Sequence, residues 1–180
     1  KTTTVRTMID LFTALKLTVQ LCAPTGRAAK RLAEASGREA RTIHRMLEYN
    51  PHTGGFTRNA GNPVSADVVI MDEASMVDTF LMRDFFRAVA PYTTVVIVGD
   101  ADQLPSIGPG NVLRDIIASG IVPTIRLTEI FRQASASRIV RSAHLINDGR
   151  MPPVDNARDG NFFFIRHREP ARVAEEIVSM

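Results

Sequence analysis

Nine residues constrain this chain more than any others: Val68 to Met76, reading V-V-I-M-D-E-A-S-M. An unbroken apolar run that ends in two adjacent carboxylates predicts a short strand buried on both faces, as in a parallel sheet covered by helices. Asp72 and Glu73 then emerge at the C-terminal end of that strand, which is where open α/β sheets hold their ligands. An Asp followed by a Glu at such a point suits a magnesium-bound nucleotide whose terminal phosphate is attacked by water.

A chain of 180 residues with 44% hydrophobic content can bury one good core, so one main domain with a small insertion is expected. The net charge of +3, from 22 basic and 19 acidic residues, implies little about partners, although the arginines cluster. The single cysteine, Cys22, lies in the apolar run Leu17 to Ala23. It excludes an internal disulfide framework and suits a buried filler in a reducing cytoplasm. No apolar run approaches the ~18 residues that span a bilayer, and the N-terminus lacks the long apolar segment of a signal peptide. A soluble, cytoplasmic protein with no membrane partner is expected.

In chain order, Lys1-Thr2-Thr3-Thr4 runs directly into Val5, Met8, Ile9, Phe12 and Leu15 at helical spacing. Lys-Thr opening a helix is the second half of a phosphate-binding loop; without its glycines it is also how an ordinary capped helix begins. Leu17 to Ala23 reads as a strand. Pro24-Thr25-Gly26-Arg27 then forms a turn into a helix reaching about Ala35, stopped by Gly37. With Arg27, Lys30 and Arg31 at its start, this turn is either an anion site or a solvated basic face. Arg41 to Leu47 opens a short helix, in which His44 by itself reads as structural.

Residues 49–65 are dominated by turn formers, with His52-Thr53-Gly54-Gly55 set to turn a small inserted hairpin. After the acids, Met76 to Ala90 shows one apolar helical face and Pro91 ends it. Thr93 to Val98 is a second buried-strand candidate running into Gly99-Asp100-Ala101-Asp102-Gln103. That places Gln103 beside the acids, able to bond a γ phosphate or the attacking water. Asn111 caps a helix from Val112 to Ala118. Ile125 to Leu127 reads as a strand leading to Arg132, either a surface arginine or one that reaches transferring phosphoryl oxygens. A helix from about Ala136 to Asn147, a boundary near residues 150–160, a strand Phe162 to Ile165 and a helix Pro170 to Val178 complete the reading.

Taken in order, K-T-T-T, A-P-T-G-R-A-A, T-I-H-R, D-E-A-S-M, V-G-D-A-D-Q-L-P and L-T-E-I-F-R-Q resemble the first motor domain of a superfamily 1 DNA helicase of the RecD-like group, which includes the α subunit of exodeoxyribonuclease V. The resemblance covers Lys1 to about Asn147. It implies a RecA-like P-loop NTPase domain, α/β with a mostly parallel sheet, helices on both faces and a small hairpin insertion at 49–65. It implies a motor domain over 1–150, with 151–180 a linker and the start of a following domain.

By the same resemblance, Lys1 matches the phosphate-loop lysine, Thr2 the magnesium-ligating hydroxyl with Thr3 beside it at the nucleotide, and Asp72 the acid that holds magnesium. Glu73 matches the base that polarises water, Gln103 the γ-phosphate sensor, and Arg132 the arginine stabilising charge on the transferring group. Pro24, Thr25, Gly26 and Arg27 match one single-strand DNA motif, and Thr42 and His44 a second. ATP and Mg2+ are the implied cofactors. Single-stranded DNA, a duplex junction and nuclease or helicase subunits of a recombination complex are the implied partners, with movement 5′ to 3′.

The glycine-rich half of the phosphate loop and a second motor domain are missing from these residues. The 180-residue chain alone is therefore expected to hydrolyse ATP poorly and to unwind nothing. Two other classes stay open: a P-loop ATPase that remodels protein or loads a clamp, and a non-hydrolysing DNA-binding module.

Overall fold

The apolar run at Val68 decides the layering. All of Val68, Val69, Ile70 and Met71 are fully buried, and successive side chains of a strand point to opposite faces, so both faces of the sheet must be covered. The computed structural model describes residues 2–127, 137–156, 161–167 and 169–179, which fall into two compact units, Lys1–Arg126 and Leu127–Met180.

In the first unit the chain runs through α1 (Thr2–Ala14), β1 (Val19–Ala23), α2 (Gly26–Ser36), β2 (Ala40–Thr42) and α3 (Ile43–Met46). It continues through β3 (Tyr49–Asn50), β4 (Gly55–Phe56), β5 (Val68–Met71), a 3-10 turn (Ala74–Met76), α4 (Thr79–Ala88), β6 (Thr94–Ile97) and α5 (Val112–Ser119). Four strands form one parallel sheet in the order β2-β1-β5-β6, and β3 pairs with β4 as a separate antiparallel hairpin. On one face Leu21, Val68 and Ile70 pack with Val5 and Ile9 of α1 and Leu32 of α2. On the other, Cys22, Val69 and Met71 pack with Ile43, Met46, Met82, Phe85, Ala88 and Leu113 from α3, α4 and α5. This is the parallel α/β architecture with helices on both faces and a small hairpin that the sequence predicts. Cys22 is buried in it, its thiol pushed up to about 12 by desolvation, so it stays protonated and inert.

Several local expectations are revised. Ala40–Thr42 is a strand, not the start of a helix. Three residues of mixed polarity carry no period of their own, and their extended conformation comes from pairing with Leu21 to Ala23. The helix after the acids begins at Thr79 and not at Met76, because Asp78 caps it: Asp78 Oδ1 accepts from the Leu81 N–H at 2.8 Å. Asn111 stands at the N-cap of α5 but makes no side-chain capping bond. Ile125 to Leu127 forms no strand; Ile125 and Leu127 are exposed, and Arg126 bonds Asp102 instead.

The second unit contains α6 (Arg138–Asn147) and α7 (Pro170–Ser179). Phe162 to Ile165 pairs with no strand among the described residues. The Asn156 side chain takes that place, accepting from the Phe164 N–H (2.7 Å) and donating to the Phe164 carbonyl (2.9 Å). An ion pair joins Arg138 to Asp155. No helix among the described residues is long and apolar enough to cross a membrane.

Candidate functional site

The parallel sheet puts four strand ends on one rim, and the rim has an order. In parallel strands hydrogen-bonded as β2-β1-β5-β6, Ala23 pairs with Thr42, Cys22 with Met71, and Met71 with Ile97. The rim residues therefore stand in the same sequence: Thr42 at the end of β2 with His44 just beyond it, Pro24 to Arg27 beyond β1, Asp72 and Glu73 beyond β5, and Asp100 to Gln103 beyond β6. The strand order reverses at β1, since α2 leads from it to one side and β5 lies on the other. The crevice beside such a reversal is where open α/β sheets take their ligands. Here it lies between Pro24 to Arg27 and the two acids.

The acids are tied in at the backbone. The Asp72 N–H donates to the Cys22 carbonyl (2.9 Å), and the Glu73 N–H donates to Asp72 Oδ1 (2.8 Å). Glu73 has a left-handed backbone, φ 55° and ψ 39°, a conformation that a residue with a Cβ adopts at a cost. It turns the chain out of the strand and into the 3-10 turn. Both acids are half-buried.

Beyond β6, the Asp102 N–H donates to Asp100 Oδ1 (3.0 Å) and the Gln103 N–H to the Asp100 carbonyl (3.3 Å). Arg126 pairs with Asp102 at 3.2 Å, and Arg114 donates to the Ala101 carbonyl at 3.2 Å. Gln103 itself is exposed.

On the other side of the crevice, Thr25 caps α2, its hydroxyl accepting from the Ala28 N–H at 3.2 Å. A Cβ placed on Gly26 would meet nothing within 4 Å, so open space lies over the first turn of α2, and Arg27 is exposed beside it. Thr42 caps α3 in the same way through the Arg45 N–H. His44 stands in a group of three rings, 5.8 Å from Tyr49 and 5.6 Å from Phe56, with Tyr49 and Phe56 5.3 Å apart. The hairpin makes this group, because Tyr49 and Phe56 are direct cross-strand partners. Sequence reasoning singled out His44 and passed over Tyr49 and Phe56. The signal available was two aromatics placed symmetrically about the turn at residues 51–54.

Thr2 opens α1, with Thr3 exposed on its first turn. Lys1 and Arg132 lie outside the described residues. The structure thus brings together Asp72, Glu73 and the Gln103 loop on one part of the rim, and Pro24, Thr25, Gly26, Arg27, Thr42 and His44 on the adjoining part.

A family model described as an AAA domain matches residues 1–165. The chain is 43% identical over 152 residues to the ATP-dependent RecD2 DNA helicase of Deinococcus radiodurans, covering 84% of this chain and 21% of that protein. It is 32% identical over 178 residues to the RecBCD enzyme subunit RecD of Mycolicibacterium smegmatis, covering 89% of this chain and 32% of that protein. The likeness to RecD-type helicases read from the motifs is therefore found across the sequence, and the chain spans about a fifth to a third of the length of these relatives. A solved structure of Bacteroides Pif1 bound to single-stranded DNA aligns with 99% of this chain and 50% of that one, at 19% identity and a TM-score of 0.48.

Proposed function

The chain belongs to the AAA domain family, and from that premise we propose that it is the first motor domain of an ATP-dependent DNA helicase, spanning residues 1–150, that moves 5′ to 3′ along single-stranded DNA in recombination or repair. The order of the rim carries this reading. A translocating motor must place a nucleotide site and a DNA track side by side on one rigid scaffold, and the β2-β1-β5-β6 order sets Thr42, His44 and Pro24 to Arg27 directly alongside Asp72, Glu73 and Gln103.

At the nucleotide, Glu73 takes the proton of the attacking water and Gln103 orients that water against the γ phosphate. Lys1 and Arg132 supply positive charge to the phosphoryl oxygens. A magnesium–nucleotide complex needs only one or two protein carboxylates, its other ligands being water and phosphate oxygens. Asp72, half-buried at the crevice, fits that mode, and the absence of any three-residue metal cluster among the described residues is compatible with it. Asp72 and Thr2 would hold the ion, which when bound supplies Lewis-acid charge to the phosphates.

At the DNA, the capped turns at Thr25 and Thr42 and the guanidinium of Arg27 meet the phosphate backbone, a contact blind to sequence and weakened by salt. The His44, Tyr49 and Phe56 rings offer a stacking surface for bases, worth ~1–3 kcal/mol per base where it is used. On this reading the hairpin at 49–65 is the element that would meet a duplex junction. Nuclease or helicase subunits of a recombination complex are the protein partners this reading implies, in a reducing cytoplasm.

Glu73→Gln in the intact parent protein tests it. ATP and single-stranded DNA should still bind while turnover falls by orders of magnitude. Unchanged turnover would take this site out of the hydrolysis and leave these residues a non-hydrolysing DNA-binding module. Turnover that single-stranded DNA fails to stimulate would favour an ATPase that remodels protein or loads a clamp.

A further inference from the structure

Gln103 is exposed; its loop is held by turn hydrogen bonds, by Arg126 on Asp102 and by Arg114 on the Ala101 carbonyl. Its neighbour Leu104 is 88% exposed, so no apolar packing at that point fixes where the amide sits. A further constraint acts at the two ends of the segment 98–110, which are both joined to the same stretch, Ala74 to Thr79, that follows the acids.

At the first end the Ala74 N–H donates to the Val98 carbonyl at 3.0 Å. Gly99 is pressed so closely that an added Cβ would lie 2.5 Å from Leu113 Cδ2 and 3.2 Å from the Ser75 nitrogen. At the second end Thr79 donates twice to the Pro109 carbonyl, from its N–H and from its hydroxyl, both at 3.0 Å. A Cβ on Gly108 would lie 2.2 Å from Asp78 Oδ2 and 2.7 Å from Asp78 Cβ. On Gly110, at φ 96°, it would lie 2.1 Å from Thr79 Oγ1. Ser106 closes the strap internally, its hydroxyl donating to the Gly108 carbonyl at 3.0 Å. Asp78 is at once the cap of α4 and the wall against which Gly108 rests.

We propose that Ser106 to Gly110 is a strap that sets the position of Gln103 relative to Glu73, with Gly108 and Thr79 as positioning residues that act on hydrolysis through Gln103. The proposal rests on the nucleotide-site reading above. Glycine at 108 lets the strap lie directly on the Asp78 side chain, and the paired bonds from Thr79 hold Pro109 in register with the start of α4. Strap, acids and sensor loop then form one closed ring of chain. A shift of about 1 Å in such a ring suffices to misplace a catalytic group at a cost of ~10²-fold.

The test uses the intact parent protein with single-stranded DNA present, measuring kcat and KM for ATP. Thr79→Val should lower kcat ~10- to 100-fold and leave KM and the thermal midpoint close to those of the unmodified protein. Gly108→Ala, whose Cβ displaces the Asp78 cap, should lower the midpoint too but lower kcat as much at temperatures where the protein is fully folded. Thr79→Ser, which keeps the hydroxyl, should restore turnover. In a Gln103→Ala background the strap variants should cost almost nothing further, since residues acting through one group are strongly non-additive. An equal loss in both backgrounds, an undiminished kcat, or a loss that follows the thermal midpoint would overturn the strap's role while leaving the nucleotide site intact. Gln103→Ala or Glu73→Gln without effect on turnover would overturn both together.

Discussion

Glu73 combines two properties that pull against each other. Its left-handed backbone costs a residue with a Cβ about 1–2 kcal/mol, and its carboxylate is the group assigned to activate water. Strain of this kind persists where the surrounding structure over-determines it; here the bond from the Glu73 N–H to Asp72 and the 3-10 turn at Ala74 hold it. Two substitutions separate strain from chemistry. Glu73→Ala and Glu73→Gly both delete the carboxylate, and both should abolish turnover in the parent. Only glycine removes the Cβ, so Glu73→Gly should be the more stable of the two by about 1 kcal/mol in urea unfolding. Equal stability, or a more stable alanine variant, would show that the positive φ carries no strain.

Among elements, the hairpin β3–β4 shows how two short strands can create a surface that neither contains. Its four paired residues include two aromatics, and the ladder sets them against each other and beside His44 of α3. Outside the ladder the hairpin is secured by Arg58, which pairs with Glu48 at 2.7 Å and donates to the Pro63 carbonyl at 3.3 Å. Phe56→Ala in the parent should weaken single-stranded DNA binding by ~1–3 kcal/mol without altering ATP affinity measured in the absence of DNA. Unchanged DNA binding in a gel-shift or anisotropy titration would assign the three rings to packing alone.

On the scale of the whole sheet, its two ends have different work. The C-terminal ends carry the candidate chemistry. The N-terminal ends are stapled: Asp67 Oδ2 accepts from both the N–H and the hydroxyl of Thr18 at 2.7 Å, and the Asp67 N–H donates back to Thr18. The Thr18 hydroxyl, and after it the Thr18 backbone N–H, hold the Asp67 carboxyl below the ordinary aspartate range. A carboxyl that binds its proton more weakly folded than unfolded stabilises the fold above the ordinary aspartate range. It loses that contribution as pH falls through that range to the lower folded value. The stability difference between the protein and Asp67→Asn should accordingly be full at neutral pH and shrink on acidification. A difference independent of pH would show that the staple works by shape and not by charge.

Local pattern was enough to read the buried strand at Val68, the acids at its end, the amphipathic helices and the turn into α2. Apolar runs, helical spacing, and Thr or Gly at helix ends are properties of a few consecutive residues. The sequence by itself therefore determined the kind of sheet and the chemical types on its rim. It did not determine the extension of Ala40 to Thr42, the meeting of Tyr49, Phe56 and His44, the bonding of Arg126 to Asp102, or the strap at Gly108. Each of these depends on which strand lies beside which. Pairing energy between two segments leaves no periodic trace in either one. Only the tertiary structure decided that β1 stands between β2 and β5, and so which strand ends share a crevice.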